Sequence, residues 1–123
     1  MTNEQIDELL AEIGRAPLMT CDEERELLKA VKEKGSDCEE MKRLEQANMR
    51  FVVSLINQYQ LRGLTLEKLI EAGKAGLREA IVNYDLEFGN KFIADAVQYM
   101  RQRIEQAIRE KNLDTNTTSM TPF

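Results

Sequence analysis

Apolar side chains recur every three or four positions from Met41 to Tyr59, at Met41, Leu44, Ala47, Phe51, Leu55 and Tyr59, with Val52 and Ile56 widening the stripe. Only a helix, turning once in about 3.6 residues, gathers such positions on one face. Counted from Asp37, the pattern predicts one long helix with a broad buried side, ending near Arg62 and Gly63. The spacing returns at Leu66, Leu69, Ile70, Gly73, Leu77, Ala80, Ile81 and Tyr84, where Thr65 is placed to cap. After a break over 85–90 containing Gly89, it returns at Phe92, Ala96, Tyr99, Met100, Ile104, Ala107 and Ile108. No stretch sustains period two, so the expected fold is all-α.

Two shorter helices precede these. Ser/Thr-x-x-Glu/Gln capping boxes stand at Thr2 with Gln5, Thr20 with Glu23, and Ser36 with Glu39. Gly14 and Gly35 are placed to end the first two segments through left-handed residues. Helices are therefore expected over 3–13 and 21–34, with Pro17 in the connection, where its missing N–H costs nothing. The whole is a single helical domain of about five helices. Gly73 and Gly76 fall inside the fourth, and the cost of glycine there is offset where two helices pack closely, so a crossing point is expected. The polar residues of 113–123 read as a flexible tail.

The 123 residues contain no histidine and no tryptophan, which excludes histidine metal sites, histidine general bases and Ser-His-Asp triads. Cys21 and Cys38 have no metal-ligand spacing and read as reduced thiols, and no apolar run reaches the ~20 residues of a membrane span. A soluble, cytoplasmic protein is expected. Asp22, Glu23 and Glu24 complement the dipole of a helix start. No catalytic constellation, metal site or cofactor motif is found, so the chain reads as no enzyme. Gly73-x-x-Gly76 lacks the full spacing and Lys-Ser/Thr ending of a phosphate loop.

The formal net charge is -5, which argues against a protein held on nucleic acid mainly by phosphate neutralisation. The distribution softens that argument. Residues 1–50 carry 13 acidic and 8 basic side chains, and residues 51–123 carry nine of each. The stretch 98–112 is net +2, with Arg101, Arg103, Arg109 and Lys111 among Gln98, Tyr99, Gln102 and Gln106. Arginines bind phosphates, amides read base edges, and an aromatic ring stacks on an unpaired base. A solvated, charge-paired helix face accounts for the same composition.

The order of residues carries a more specific signal. Leu9-Leu10-Ala11-Glu12-Ile13-Gly14-Arg15, then Leu18-Met19-Thr20 and Asp22-Glu23-Glu24, resemble the start of region 1.2 of the bacterial sigma-70 family of RNA polymerase sigma factors. Ala47-Asn48-Met49-Arg50-Phe51-Val52-Val53-Ser54, with Tyr59 and Arg62-Gly63-Leu64, resembles region 2.1. Leu69-Ile70-Glu71-Ala72-Gly73 to Gly76-Leu77, followed by Ala80, Tyr84-Asp85, Gly89 and Lys91-Phe92, is similar to regions 2.2 and 2.3. Arg101-Gln102 with Ile104 and Ala107-Ile108 resembles region 2.4. The match is collinear over about residues 3–112, and regions 3 and 4 have no counterpart in this chain.

The resemblance implies region 1.2-like helices over 1–36, a sigma region 2-like helical core over 37–112, and the tail over 113–123. It implies two partners: RNA polymerase core, through the clamp helices of its largest subunit, and promoter DNA, chiefly the -10 element as a melted single strand. It places Asn48, Arg50, Lys91, Phe92, Tyr99, Arg101 and Gln102 toward DNA, and Lys68, Glu71, Lys74 and Arg78 toward the polymerase. It implies no small-molecule substrate, cofactor, metal or membrane.

The departures from the family pattern lie at exposed positions. A Tyr-Ala-x-Trp-Trp run of the family reads Asp95-Ala96-Val97-Gln98-Tyr99 here, so only Tyr99 keeps a ring. Phe88 and Asn90 flank Gly89 where the family often has a basic residue and an aromatic. On the fourth helix the pattern Asp-Leu-Ile-Gln-Glu-Gly-Asn reads Lys68-Leu69-Ile70-Glu71-Ala72-Gly73-Lys74. The expected function is that of a divergent sigma factor binding core polymerase and the -10 element in transcription initiation. The alternative is a sigma-fold interaction or regulatory module that binds polymerase or another protein without promoter recognition or melting.

Overall fold

The computed structural model describes residues 3–15, 19–60, 62–87 and 91–119, with side chains described except at positions 3, 6 and 113–119. Five α-helices follow one another: α1 (Asn3–Arg15), α2 (Cys21–Lys34), α3 (Glu39–Ile56), α4 (Leu66–Asn83) and α5 (Phe92–Ser119). A 3-10 turn, Asn57–Tyr59, extends α3. The fold is all-α, with no strand among the described residues. Thr2, Pro17, Phe88, Gly89 and Asn90 lie outside the described residues. α5 continues through Ser119, into the stretch set apart from the sequence as a tail.

Local chemistry fixes most of the ends. The Thr20 hydroxyl accepts from the Glu23 amide at 3.1 Å and donates to the Glu23 carboxylate at 3.1 Å, so the Thr20 side chain caps the start of α2. Gly35 closes that helix at φ +91°, donating its N–H to the Val31 carbonyl at 2.8 Å. Thr65 caps α4 by accepting from the Lys68 amide at 3.2 Å.

Three expected ends differ. Gly14 lies inside α1, which runs on to Arg15; its φ is not positive, so nothing there stops the helix. The Ser36 box does not form, because α3 starts only at Glu39 with Cys38 at the cap position and no side-chain cap bond. Instead Lys34 Nζ meets Glu40 at 2.5 Å across the α2–α3 corner. α3 itself tightens after Ile56 and ends before Gly63, whose φ of +98° turns the chain toward α4.

The core gathers most of the predicted stripes, but Phe51, which the spacing puts on the buried side of α3, is 41% exposed, because Val52, Leu55 and Ile56 take the inward face. Leu44, Val52, Leu77, Ala80, Ile81, Ala96, Met100 and Ile104 are fully shielded, with Leu28 and Met41 closing one end. The two mid-helix glycines of α4 sit where the sequence expects a crossing. A Cβ on Gly76 would lie 2.6 Å from both Met100 Cα and the Tyr99 carbonyl oxygen, so α5 backbone rests directly on this glycine. A Cβ on Gly73 would meet the Val52 side chain at 2.7 Å. Glycine at position 76 lets α4 and α5 pack backbone to backbone, which positions the exposed face of α5 relative to the end of α4, whereas glycine at position 73 makes room for Val52 of α3.

Candidate nucleic-acid and protein interface

Asp95, Gln98, Tyr99 and Gln102 share one face of α5, at spacings of three, four and seven residues. Because α5 runs antiparallel to α4, the last residue of α4, Asn83, stands beside the first turns of α5. These five side chains line a cavity of about 290 Å³. Asp95 and Tyr99 are half-buried, whereas Asn83, Gln98 and Gln102 are exposed. Tyr99 also packs against the core, so its ring forms a supported wall.

A second polar group ties α5 to the end of α3. The Tyr59 hydroxyl donates to Glu105 at 2.9 Å and accepts from Arg101 at 2.9 Å, while Arg101 also donates to the Gln58 side-chain oxygen at 3.1 Å. Tyr59 itself is buried. Arg101 therefore holds the 3-10 turn to α5 through a charge-assisted network. Arg103 of the next turn pairs with Glu79 of α4.

The remaining residues expected to face DNA divide by depth. Lys91 is exposed just ahead of α5. Arg50 is half-buried, and one guanidinium nitrogen reaches the Ile13 carbonyl at 3.4 Å. Asn48 is only 2 % exposed, and its amide donates to the Leu44 carbonyl at 2.8 Å on its own helix. Phe92 is buried edge-on against Tyr84, with ring centroids 5.5 Å apart and planes at 85°. Asn48 and Phe92 thus lie in the interior and shape the helices from beneath.

All four residues expected to face a protein partner are exposed on α4. Lys68 and Glu71 border a shallow groove between α4 and α5, floored by Ala72, Ala75 and Ala107. Lys74 faces the other side, lining a larger cleft of about 580 Å³ between α1, α3 and α4. Arg78 bonds Glu45 of α3 at 2.7 Å. The four side chains consequently form a ridge between two depressions rather than one patch.

Sequence reasoning from helix composition finds Gln98, Tyr99 and Gln102. It does not find Asn83, because only the folding back of α5 along α4 brings that residue to the cavity. The one available signal is the short break between two long helices, which forces an antiparallel pair. Among the described residues no group of three or more Cys, Asp or Glu side chains is placed to hold a metal ion, and no helix is long and apolar enough to cross a membrane.

No family model matches the chain. Individual proteins do. The RNA polymerase sigma factor SigA of a Bacillus species is 38% identical over 109 residues, covering 89% of this chain and 28% of that protein. SigA of Listeria monocytogenes is 38% identical over 109 residues, covering 89% of the chain and 29% of its own length. SigA of Lactococcus lactis subsp. cremoris is 39% identical over 116 residues, covering 90% of the chain and 32% of its own length. The chain therefore spans less than a third of the length of these curated relatives.

Proposed function

The chain is a homologue of one segment of the bacterial RNA polymerase sigma factors, and on that premise we propose that it binds RNA polymerase core and engages the -10 element of a promoter in transcription initiation. The observation that carries the reading is the identity of 38% across nine tenths of the chain. In this reading residues 1–36 and 37–112 correspond to regions 1.2 and 2. The protein works in the cytoplasm as a binding factor with no catalytic step of its own.

The exposed ridge of Lys68, Glu71, Lys74 and Arg78 faces the clamp helices of the largest polymerase subunit. Rim charges of this kind set partner choice and association rate more than total affinity. Lys91, Tyr99 and Gln102, with the outer part of Arg50, face the single strand. Asn48, Phe92 and Arg101 position that face through their interior contacts. The protein is acidic overall, so polymerase supplies much of the grip on phosphate.

A second reading, a sigma-fold module that occupies polymerase without promoter recognition, is favoured by the carboxylate of Asp95 on the strand-facing side of α5. Two measurements separate the readings. Core polymerase is expected to be retained on the immobilised chain at low salt, and the charge reversals Lys74→Glu and Arg78→Glu together are expected to weaken retention about tenfold or more. Absence of retention by the unaltered chain overturns both readings. A labelled single-stranded -10-like oligonucleotide, added alone and with core enzyme, is expected to bind sequence-selectively if the first reading holds. Polymerase binding with no DNA selectivity selects the second.

A further inference from the structure

We infer that the cleft between α1, α3 and α4 binds a nucleoside polyphosphate, with its phosphates on Arg15, Lys42 and Lys74 and its ring system over Leu9, Ile13 and Met49. The ligand is a free small molecule, and its binding is independent of the polymerase and promoter reading.

The cleft arises because α1 packs on α3 and barely meets α4. Leu9 and Ile13 turn toward the bundle yet stay half-buried, and Met49 of α3, 6% exposed, completes the apolar part of the lining. Water left on such side chains is released when a ligand covers them, at a gain that grows with the area covered. The space of about 580 Å³ falls within the range of small-molecule sites.

The charges around that apolar floor run against the rest of the molecule. The chain has a net charge of -5, yet the lining carries Arg15, Lys42 and Lys74 against Glu12 and Glu45. Glu45 is engaged by Arg78 at 2.7 Å. Among the described residues Arg15 and Lys74 make no side-chain hydrogen bond or ion pair, and Lys42 meets only Glu39, outside the cleft, at 3.9 Å. Three cations from three helices around one hollow attract an anion of several charges. A single carboxylate would meet one of them. A row of phosphates would meet all three, the planar guanidinium of Arg15 binding two oxygens of one phosphate and the lysines acting as point charges.

The remaining lining selects the body that carries the phosphates. The Met49 sulfur is favourable beside an aromatic ring, and Leu9 and Ile13 are apolar enough to cover its faces. The Gln46 amide has donors and an acceptor for the polar edge of a heterocycle, while Glu12 accepts hydrogen bonds from sugar hydroxyls. An acyl anion or an inorganic polyphosphate satisfies only half of these groups. A nucleic-acid strand offers the same parts, but spreads one phosphate per nucleotide along its length, whereas a nucleoside polyphosphate gathers several at one end.

The test is amide NMR of the full chain in magnesium-free buffer at fixed ionic strength, titrated with ATP to about 1 mM. Saturable shifts are expected over residues 9–15 and 42–49 and at Lys74, and not along α5. Adenosine and inorganic tripolyphosphate, the two halves of the probe, are each expected to bind at least about tenfold more weakly. Arg15→Gln combined with Lys42→Gln is expected to weaken ATP binding about tenfold or more. Arg109→Gln, which removes an exposed cation from α5, is expected to change it by less than about twofold. Urea unfolding of each variant checks that the fold is retained. Amide exchange in α1 is expected to slow in the presence of ATP, because the ligand binds only while that helix is seated. No saturable shift by about 1 mM overturns the inference. Tripolyphosphate binding as tightly as ATP overturns it too, by reducing the cleft to a patch of charge. A thymidine oligonucleotide of about 12 residues that moves the same amides at equal affinity assigns the cleft to a strand and likewise overturns it. Polymerase retention is measured separately, so failure of either proposal leaves the other standing.

Discussion

The seam between α4 and α5 and the seat of α1 on α3 are both made by amphipathic helices, yet they are packed to very different depths. At the first, Gly76 lets α5 backbone approach until no Cβ fits between them, and Leu77, Ala80, Ile81, Met100 and Ile104 are sealed from solvent. At the second, apolar and polar residues segregate just as cleanly along α1. Even so, Leu9 and Ile13 remain half-buried and Leu10 is 45% exposed, above a cleft of about 580 Å³. A stripe of apolar residues makes a helix amphipathic, whereas burial requires a partner surface of matching shape. The two expected functional faces follow the same division. α5 is rigidly backed and carries the cavity around Asp95, while the cleft beside Lys74 is roofed by the loosely seated α1.

This contrast is breakable by mutation. The largest effect is expected from Gly76→Val, whose side chain would collide with α5 main chain and which should cost roughly 3 kcal/mol or more in urea unfolding. Gly73→Ala meets side chains rather than main chain, Val52 at 2.7 Å with Ile56 and Ile104 behind it, and should cost less, about 1 to 2 kcal/mol. If the two substitutions prove equal, the close approach of α5 at Gly76 is wrong.

Truncation of side chains sharpens the comparison. Leu77→Ala should lower stability by about 2 to 5 kcal/mol, because it leaves a cavity in a sealed seam. Ile13→Ala should lower it by less than about 1 kcal/mol, because much of that side chain already touches water. Amide exchange in α1 should accordingly proceed through local opening, faster than in α4, and equal protection would refute the division.

The smallest effect lies at the α2–α3 corner, outside both seams. The Lys34 ammonium holds the Glu40 carboxyl below the usual carboxylate range, and Glu40 in turn raises the Lys34 pKa. Glu40 is a group whose folded pKa is lowered. Its contribution is therefore fully present above the unfolded value of 4.5 and is lost as pH falls through the folded value. Glu24 works in the opposite sense. Burial raises its pKa, so its protonated form favours the fold and ionisation on raising pH weakens it. Carboxyl NMR titration of Lys34→Met should return Glu40 toward its ordinary value and leave Glu24 unmoved.

Much of this organisation is legible in the chain itself. Thr20, Gly35 and Thr65 mark helix ends through bonds to residues within four positions, so one-dimensional spacing is enough to find them. The core stripes of α3, α4 and α5 are likewise periodic. Gly14 and Ser36 carry the same letters as true stop and start signals, but neither takes up the backbone geometry that would give them that role. At the site, Gln98, Tyr99 and Gln102 are visible as one helix face. The burial of Asn48 is not visible, since the resemblance alone names it and sets it beside surface residues, whereas the burial of Phe92 follows from its place at the head of the apolar stripe of α5. Arg101 has the letters of a phosphate contact, and its guanidinium is turned to Tyr59 and Gln58.

The sequence by itself determines that this chain is helical, where most helices begin and end, and which protein family it resembles, because those properties rest on contacts between near neighbours and on the order of residues. Tertiary structure alone decides that α5 main chain lies on Gly76, that Tyr59 reaches Arg101 and Glu105 across more than forty positions, and that Asn83 meets Asp95 and Gln102 around one cavity. Those arrangements depend on how two helices are brought side by side, and that is fixed by shape complementarity between surfaces far apart in the chain.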